Sequence, residues 1–153
     1  ALINHNIKVT GFVEGALREN ITVNPNDVSG PLLEGNALEL LDAGLARVLE
    51  VVKSQSSLDQ RINSPFGEMT RGEFLINPTW DLLVHTWDPA KGTNQNTTLD
   101  SHLVEVCNNV FAPMMDHMPT EEFGGIKSMG PEVTVPAGAS LQDRFIGTMG
   151  RQP

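Results

Sequence analysis

The chain has 153 residues, 39% hydrophobic and 19% charged, a composition that suits one domain with a single core. Its formal net charge of −9 would repel phosphate backbones, so nucleic acid is not an expected partner. One cysteine, Cys107, excludes an intrachain disulfide and a multi-cysteine zinc site, so a metal here must use His, Asp or Glu.

No stretch is long and apolar enough to span a membrane. The start, Ala1-Leu2-Ile3-Asn4-His5, has no basic region ahead of an apolar one, so no signal peptide is read there and the cytoplasm is the expected location. The sequons Asn20-Ile21-Thr22 and Asn96-Thr97-Thr98 are accordingly taken as chance matches. The chain begins without Met and inside a helical pattern, which reads as missing upstream sequence.

The first helix is expected from about Leu2 to Arg18. Leu2, Val9, Phe12 and Ala16 recur at helical spacing, and His5 falls on the same stripe. Asn20 to Pro31 is rich in Asn, Pro and Gly and reads as a loop. A second helix is expected from Pro31 to Lys53, with Ser29 as cap and Pro31 at an early helical position. Ala37, Leu41, Leu45, Val48 and Val52 would be its buried face. Gly35 and Gly44 weaken it unless a neighbour packs closely there.

Arg61 to Met69 is expected to form a short hairpin. Thr70-Arg71-Gly72-Glu73 reads as a capping box that opens a third helix, Arg71 to Trp87. Pro78 should kink or split that helix, and Asp88-Pro89 should end it. A fourth helix is expected from Asp100 to Met118, with Leu99, Leu103, Val106, Val110 and Met114 as its buried stripe and Pro113 distorting its end. Thr120 to Gly130 is a Gly-rich loop, Glu132 to Pro136 is short and extended, and Ser140 to Met149 is a last short helix. The pattern predicts an all-α domain with little sheet, for which a helix bundle is the natural architecture.

The chemistry concentrates in the third helix. Asp81, His85 and Asp88 sit at spacings of four and three and share one face, among Trp80, Leu82, Leu83, Val84 and Trp87. A helix that is apolar nearly all round is buried, and a buried carboxylate needs a partner or a metal. Asp81 and His85 can therefore face one cation, with Asp88 orienting a ligand from outside. His5, which interrupts an apolar stripe on another helix, completes a set of two imidazoles and one carboxylate. That set serves catalytic zinc and non-haem iron(II) alike. The plainer alternative stays open at this point: His5 as a hydrogen-bonded core residue, and Asp81 with His85 as a simple intrahelical pair.

Cys107 lies on the buried side of its helix and reads as core rather than nucleophile. His102 and His117 read as solvated. Gly124-Gly125 has no strand before it to make a phosphate cradle, and no serine-nucleophile elbow is present.

Four stretches together resemble a known family. They are Leu2-Ile3-Asn4-His5, Ser64-Pro65-Phe66-Gly67-Glu68-Met69, Asp81-Leu82-Leu83-Val84-His85-Thr86-Trp87-Asp88, and Pro136-Ala137-Gly138-Ala139-Ser140-Leu141-Gln142-Asp143-Arg144 with Gly150-Arg151-Gln152-Pro153. They resemble, in order along the chain, the DinB-like metal-binding bundle family, in the branch that contains mycothiol-dependent maleylpyruvate isomerase. The resemblance implies a four-helix bundle, up-down with a crossover, over residues 1–153, with 120–153 as a short C-terminal extension packed on it. It implies one divalent metal, commonly zinc, held at the positions of His5, Asp81 and His85. Two features depart from the pattern. Asp81 stands where the isomerase type has Glu, and the family's first helix is absent. A bundle lacking a helix would expose an apolar groove, so a homodimer or a second polypeptide is an expected partner.

The resemblance further implies an enzyme that uses mycothiol or a related small thiol as cosubstrate, for isomerisation or thiol transfer on a small electrophile. Arg144 would pair with a carboxylate of thiol or substrate, and Trp80 or Trp87 would line the pocket or pack in the core. Water activation in a hydrolase or lyase, and a non-catalytic metal-binding or interaction module, are the alternatives.

Overall fold

The computed structural model describes residues 1–27, 35–115 and 130–153, and of residues 112–115 only the backbone. The described residues form α1 (Leu2–Leu17), α2 (Ala37–Ser54), β1 (Arg61–Ser64), β2 (Gly67–Thr70), α3 (Arg71–Gly92), α4 (Ser101–Met115) and α5 (Leu141–Thr148). The described residues are mostly helical, with one small hairpin among them. The chain divides into two compact units, Ala1–Pro78 and Thr79–Pro153, and α3 runs through the division. Among the described residues no helix is long and apolar enough to cross a membrane.

In the first unit α1 packs on α2. The expected stripe of α1 is buried at Val9, Phe12 and Ala16, and Thr10, Val13 and Leu17 beside it are buried too. The closest approach is at Gly44 of α2. A Cβ built there would lie 2.1 Å from Thr10 Oγ1, so any larger residue would force the helices apart. Glu14 of α1 then accepts from Arg18 Nε at 3.2 Å and from Arg47 Nε of α2 at 3.1 Å.

Two details of α2 differ from the sequence reading. The helix starts at Ala37, with Asn36 as cap accepting from Leu38 N–H, so Gly35 precedes the helix. Ser29 and Pro31 lie outside the described residues. The fully buried positions are Gly44 and Val51, each one residue before the expected Leu45 and Val52. Contact at Gly44 turns that glycine toward α1, and the expected Leu41, Leu45, Val48 and Val52 are half-buried beside it.

The hairpin forms as expected, with Arg61 opposite Thr70 and Ser64 opposite Gly67. Pro65 and Phe66 make the turn, and Ser64 Oγ accepts from Phe66 N–H and donates to the Gly67 carbonyl. Ile62 is buried. The Phe12 ring meets Phe66 edge-on at 6.5 Å and Phe74 at 5.9 Å, which ties α1, the hairpin turn and the start of α3 together. Phe74 is fully buried, a contribution of about 1.5–3 kcal/mol for a side chain of this size. The capping box is present in both directions. Glu73 N–H donates to Thr70 Oγ1 at 3.1 Å, and Thr70 N–H donates to Glu73 Oε2 at 2.7 Å.

The third helix is longer than expected. It is not split at Pro78, and it passes Pro89 to reach Gly92. Proline removes one N–H from the ladder, but the bonds beyond it persist: Thr93 N–H reaches the Pro89 carbonyl and Gln95 N–H the Ala90 carbonyl.

In the second unit α4 packs on α5. Among the described side chains of α4 the buried ones are Val104, Cys107 and Phe111, not the expected Leu103, Val106 and Val110. Leu103 is 40% and Val106 38% exposed. The helix carries two adjacent apolar stripes, and the contact of Trp80 with Phe111, ring centroids 5.0 Å apart, selects one of them. Leu99 is buried as expected, and the side chain of Met114 lies outside the described residues. α5 buries Phe145, Ile146 and Gly147, and its cap Ser140 accepts from Asp143 N–H. Gln142 joins α5 to the segment before α4, donating to the Thr97 carbonyl and accepting from Leu99 N–H. Residues 132–136 form no strand, although Val133 N–H donates to the Gly147 carbonyl. The loop expected at 120–129 lies outside the described residues.

Candidate metal centre

His5 closes the first turn of α1, half-buried beside the buried Asn4. The chain after α1 folds back along it. Asn20 N–H donates to the Gly15 carbonyl, Val23 lies against Gly11, and Lys8 Nζ donates to the Asp27 carbonyl. This return brings the Pro25 carbonyl to within 2.8 Å of His5 Nδ1. A carbonyl can only accept, so Nδ1 carries a proton, and in the neutral ring Nε2 is then the imine nitrogen.

His85 reaches the same state by another route. Its Nδ1 lies 2.8 Å from Asp88 Oδ2, three residues on. Arg151 holds that carboxylate by both oxygens, Nε to Oδ1 at 3.2 Å and Nη2 to Oδ2 at 3.1 Å. Burial opposes ionisation of Asp88, but hydrogen bonds from Arg151 and His85 and the charge of Arg151 outweigh it and hold its carboxyl below the usual value. An ionised Asp88 accepts from Nδ1–H, and in the neutral ring this again makes Nε2 the imine nitrogen.

Nε2 of His85 lies 3.5 Å from Asp81 Oδ1. A charge-assisted N–H···O bond is shorter, about 2.7–2.9 Å. Two ligand atoms each about 2.1 Å from a tetrahedral zinc stand roughly 3.4 Å apart. The spacing thus suits two atoms that flank a cation better than a direct ion pair. His5 in the first unit and Asp81 and His85 in the second each offer one ligand atom, a His/Asp/His set that could hold a metal ion. No family model, curated protein or solved structure matches this chain.

The other sequence candidates sit elsewhere. Arg144 is exposed and donates to the Ala139 carbonyl of its own turn. Trp80 and Trp87 are both core residues; Trp80 Nε1 is buried without a hydrogen-bond partner, and Lys91 Nζ lies 5.4 Å above the Trp87 ring. Cys107 is fully buried, and burial pushes its thiol pKa up, which leaves it a poor nucleophile. His102 is exposed on α4. His117, Gly124 and Gly125 lie outside the described residues. Two groups were missed from sequence, the Pro25 carbonyl and Arg151. Neither carries a local signal, because one is main chain and the other is 63 positions from its partner Asp88.

Proposed function

We propose that this chain is a metal-dependent enzyme of the DinB-like bundle type, with His5, Asp81 and His85 as ligands of one divalent ion, zinc foremost. The observation that carries the metal reading is the state of the two histidines. In each, Nδ1 faces an oxygen acceptor, an arrangement that in the neutral ring assigns the proton to Nδ1 and the ligand lone pair to Nε2. A hydrogen-bonded core histidine needs no such coincidence at two positions. Two imidazoles and one carboxylate also leave a coordination position for a substrate atom.

The choice of reaction follows the resemblance. A divalent ion here supplies positive charge that keeps a small thiol as thiolate near neutral pH. The ligand side chains fix where that charge sits, and the Asp88–Arg151 pair holds His85 from behind. The reading is therefore isomerisation or thiol transfer on a small electrophile, with mycothiol or a related thiol as cosubstrate.

Metal content of the purified protein, beside His5→Ala and Asp81→Ala, tests the site. Stoichiometric metal in the parent and its loss in both variants is the expected result; unchanged content in both would sink the assignment. Turnover of an electrophile panel with and without added thiol tests the reaction. Thiol-independent conversion would favour water activation, and metal without conversion would favour a non-catalytic module.

A further inference from the structure

Arg151 lies outside the three-residue group, yet the end of α5 is built to aim it. Arg151 N–H donates to the Ile146 carbonyl at 3.1 Å and Gly150 N–H to the Gly147 carbonyl at 2.9 Å, the paired bonds of a Schellman turn. Gly150 takes φ +77, and a Cβ there would lie 2.7 Å from the Gly130 carbonyl oxygen, so only glycine makes this turn. The turn sends the Arg151 side chain to the last part of α3. Nη1 donates to the Met149 carbonyl at 2.7 Å, which anchors the guanidinium, and Nε and Nη2 each take one oxygen of Asp88. A two-point fork fixes the plane of a carboxylate as well as its position. The oxygen that Nη2 holds, Oδ2, is the one bonded to His85 Nδ1.

We infer that Arg151 is a positioning residue for His85: its fork orients Asp88, and Asp88 keeps His85 with Nδ1 protonated and Nε2 as the ligating nitrogen. The consequence for metal binding rests on the proposed metal site, whereas the tautomer rests on the second unit alone.

The test has two readouts. Nitrogen-15 NMR of the metal-free protein, above the ordinary histidine titration range, reports the His85 tautomer. Competition with a zinc-chelating dye reports affinity for zinc. In the parent, His85 is expected as the Nδ1–H tautomer. Folded Arg151→Gln should show mixed tautomers and zinc affinity lower by about tenfold, the low end for partners that orient a ligand. Arg151→Lys, which offers a point charge in place of a fork, should fall between the two. A contact that served only to join α5 to α3 would not grade the tautomer in this way. An unchanged tautomer in folded Arg151→Gln would overturn the inference. Should that variant fail to fold, Arg151→Lys decides it: redistribution of the tautomer supports the inference and none overturns it. If the parent binds no zinc, the metal site itself has failed, and the tautomer measurement still decides the role of Arg151.

Discussion

The two histidines meet one requirement by opposite means. His5 is held by main chain, the Pro25 carbonyl, delivered by a segment that folds back along α1. His85 is held by a side chain, Asp88, which Arg151 holds in turn. A carbonyl is neutral and comes with the fold, so no single side-chain change removes it. A carboxylate makes the imidazole a stronger ligand, but it is costly to keep half-buried without a counter-charge. The surroundings differ in the same sense. Around His5 the structure depends on close packing and main-chain return; around His85 it depends on a chain of charged hydrogen bonds.

The largest effect expected is loss of a ligand itself. His5→Ala and His85→Ala should each weaken zinc binding by more than the roughly 100-fold that loss of an outer partner can cost. A dye-competition titration reads both, and a variant that keeps parental affinity removes its histidine from the site. Next come the two anchors. Asp88→Asn should weaken zinc binding by about 10–100-fold, while Pro25→Ala, which keeps the carbonyl, should change it little. The reverse order would break the contrast between main-chain and side-chain support.

Close packing in the first unit is tested by Gly44→Ala. The added methyl meets Thr10, so a loss of about 1–3 kcal/mol is expected, read as a lower urea midpoint at unchanged slope. A neutral result would mean that α1 and α2 can separate at no cost. Thr70→Ala, which removes the cap of α3, should cost about 1 kcal/mol in the same measurement. The smallest effect concerns pH. Hydrogen bonds from the Thr70 main chain and side chain hold the exposed Glu73 below its ordinary pKa. Its stabilising contribution is full above the ordinary glutamate range and fades as pH falls through the lowered value. The stability difference between the parent and Glu73→Gln should therefore shrink on acidification; a difference that grew would assign the bond to the protonated form.

Local features were legible at several places where the partner lay within four residues, though not at the Asn36 cap of α2. The Thr70–Glu73 box and the Asp81–His85–Asp88 face follow from short spacings whose geometry a helix dictates. Legibility failed where two local answers were nearly equal. On α4 the periodicity supports a stripe through Leu103 and Val106 as well as one through Val104 and Cys107, and only the neighbour distinguishes them. On α2 a glycine drew the buried face to itself, against the pull of larger apolar residues. Pro89 looked like a stop because proline breaks one ladder bond, but the bonds after it carried the helix on to Gly92.

The sequence by itself determined that the chain is mostly helical, that a short hairpin precedes α3, and that polar residues interrupt apolar faces at His5, Asp81 and His85. These follow from periodicity, capping and turn chemistry, all of which act over a few residues. Only the tertiary structure decided which nitrogen of each histidine meets an oxygen acceptor. The acceptor for His5 lies 20 positions along the chain, and the arginine that holds the acceptor for His85 lies 63 positions from it. Such partners are delivered by chain reversals, and a reversal has no period for the sequence to display.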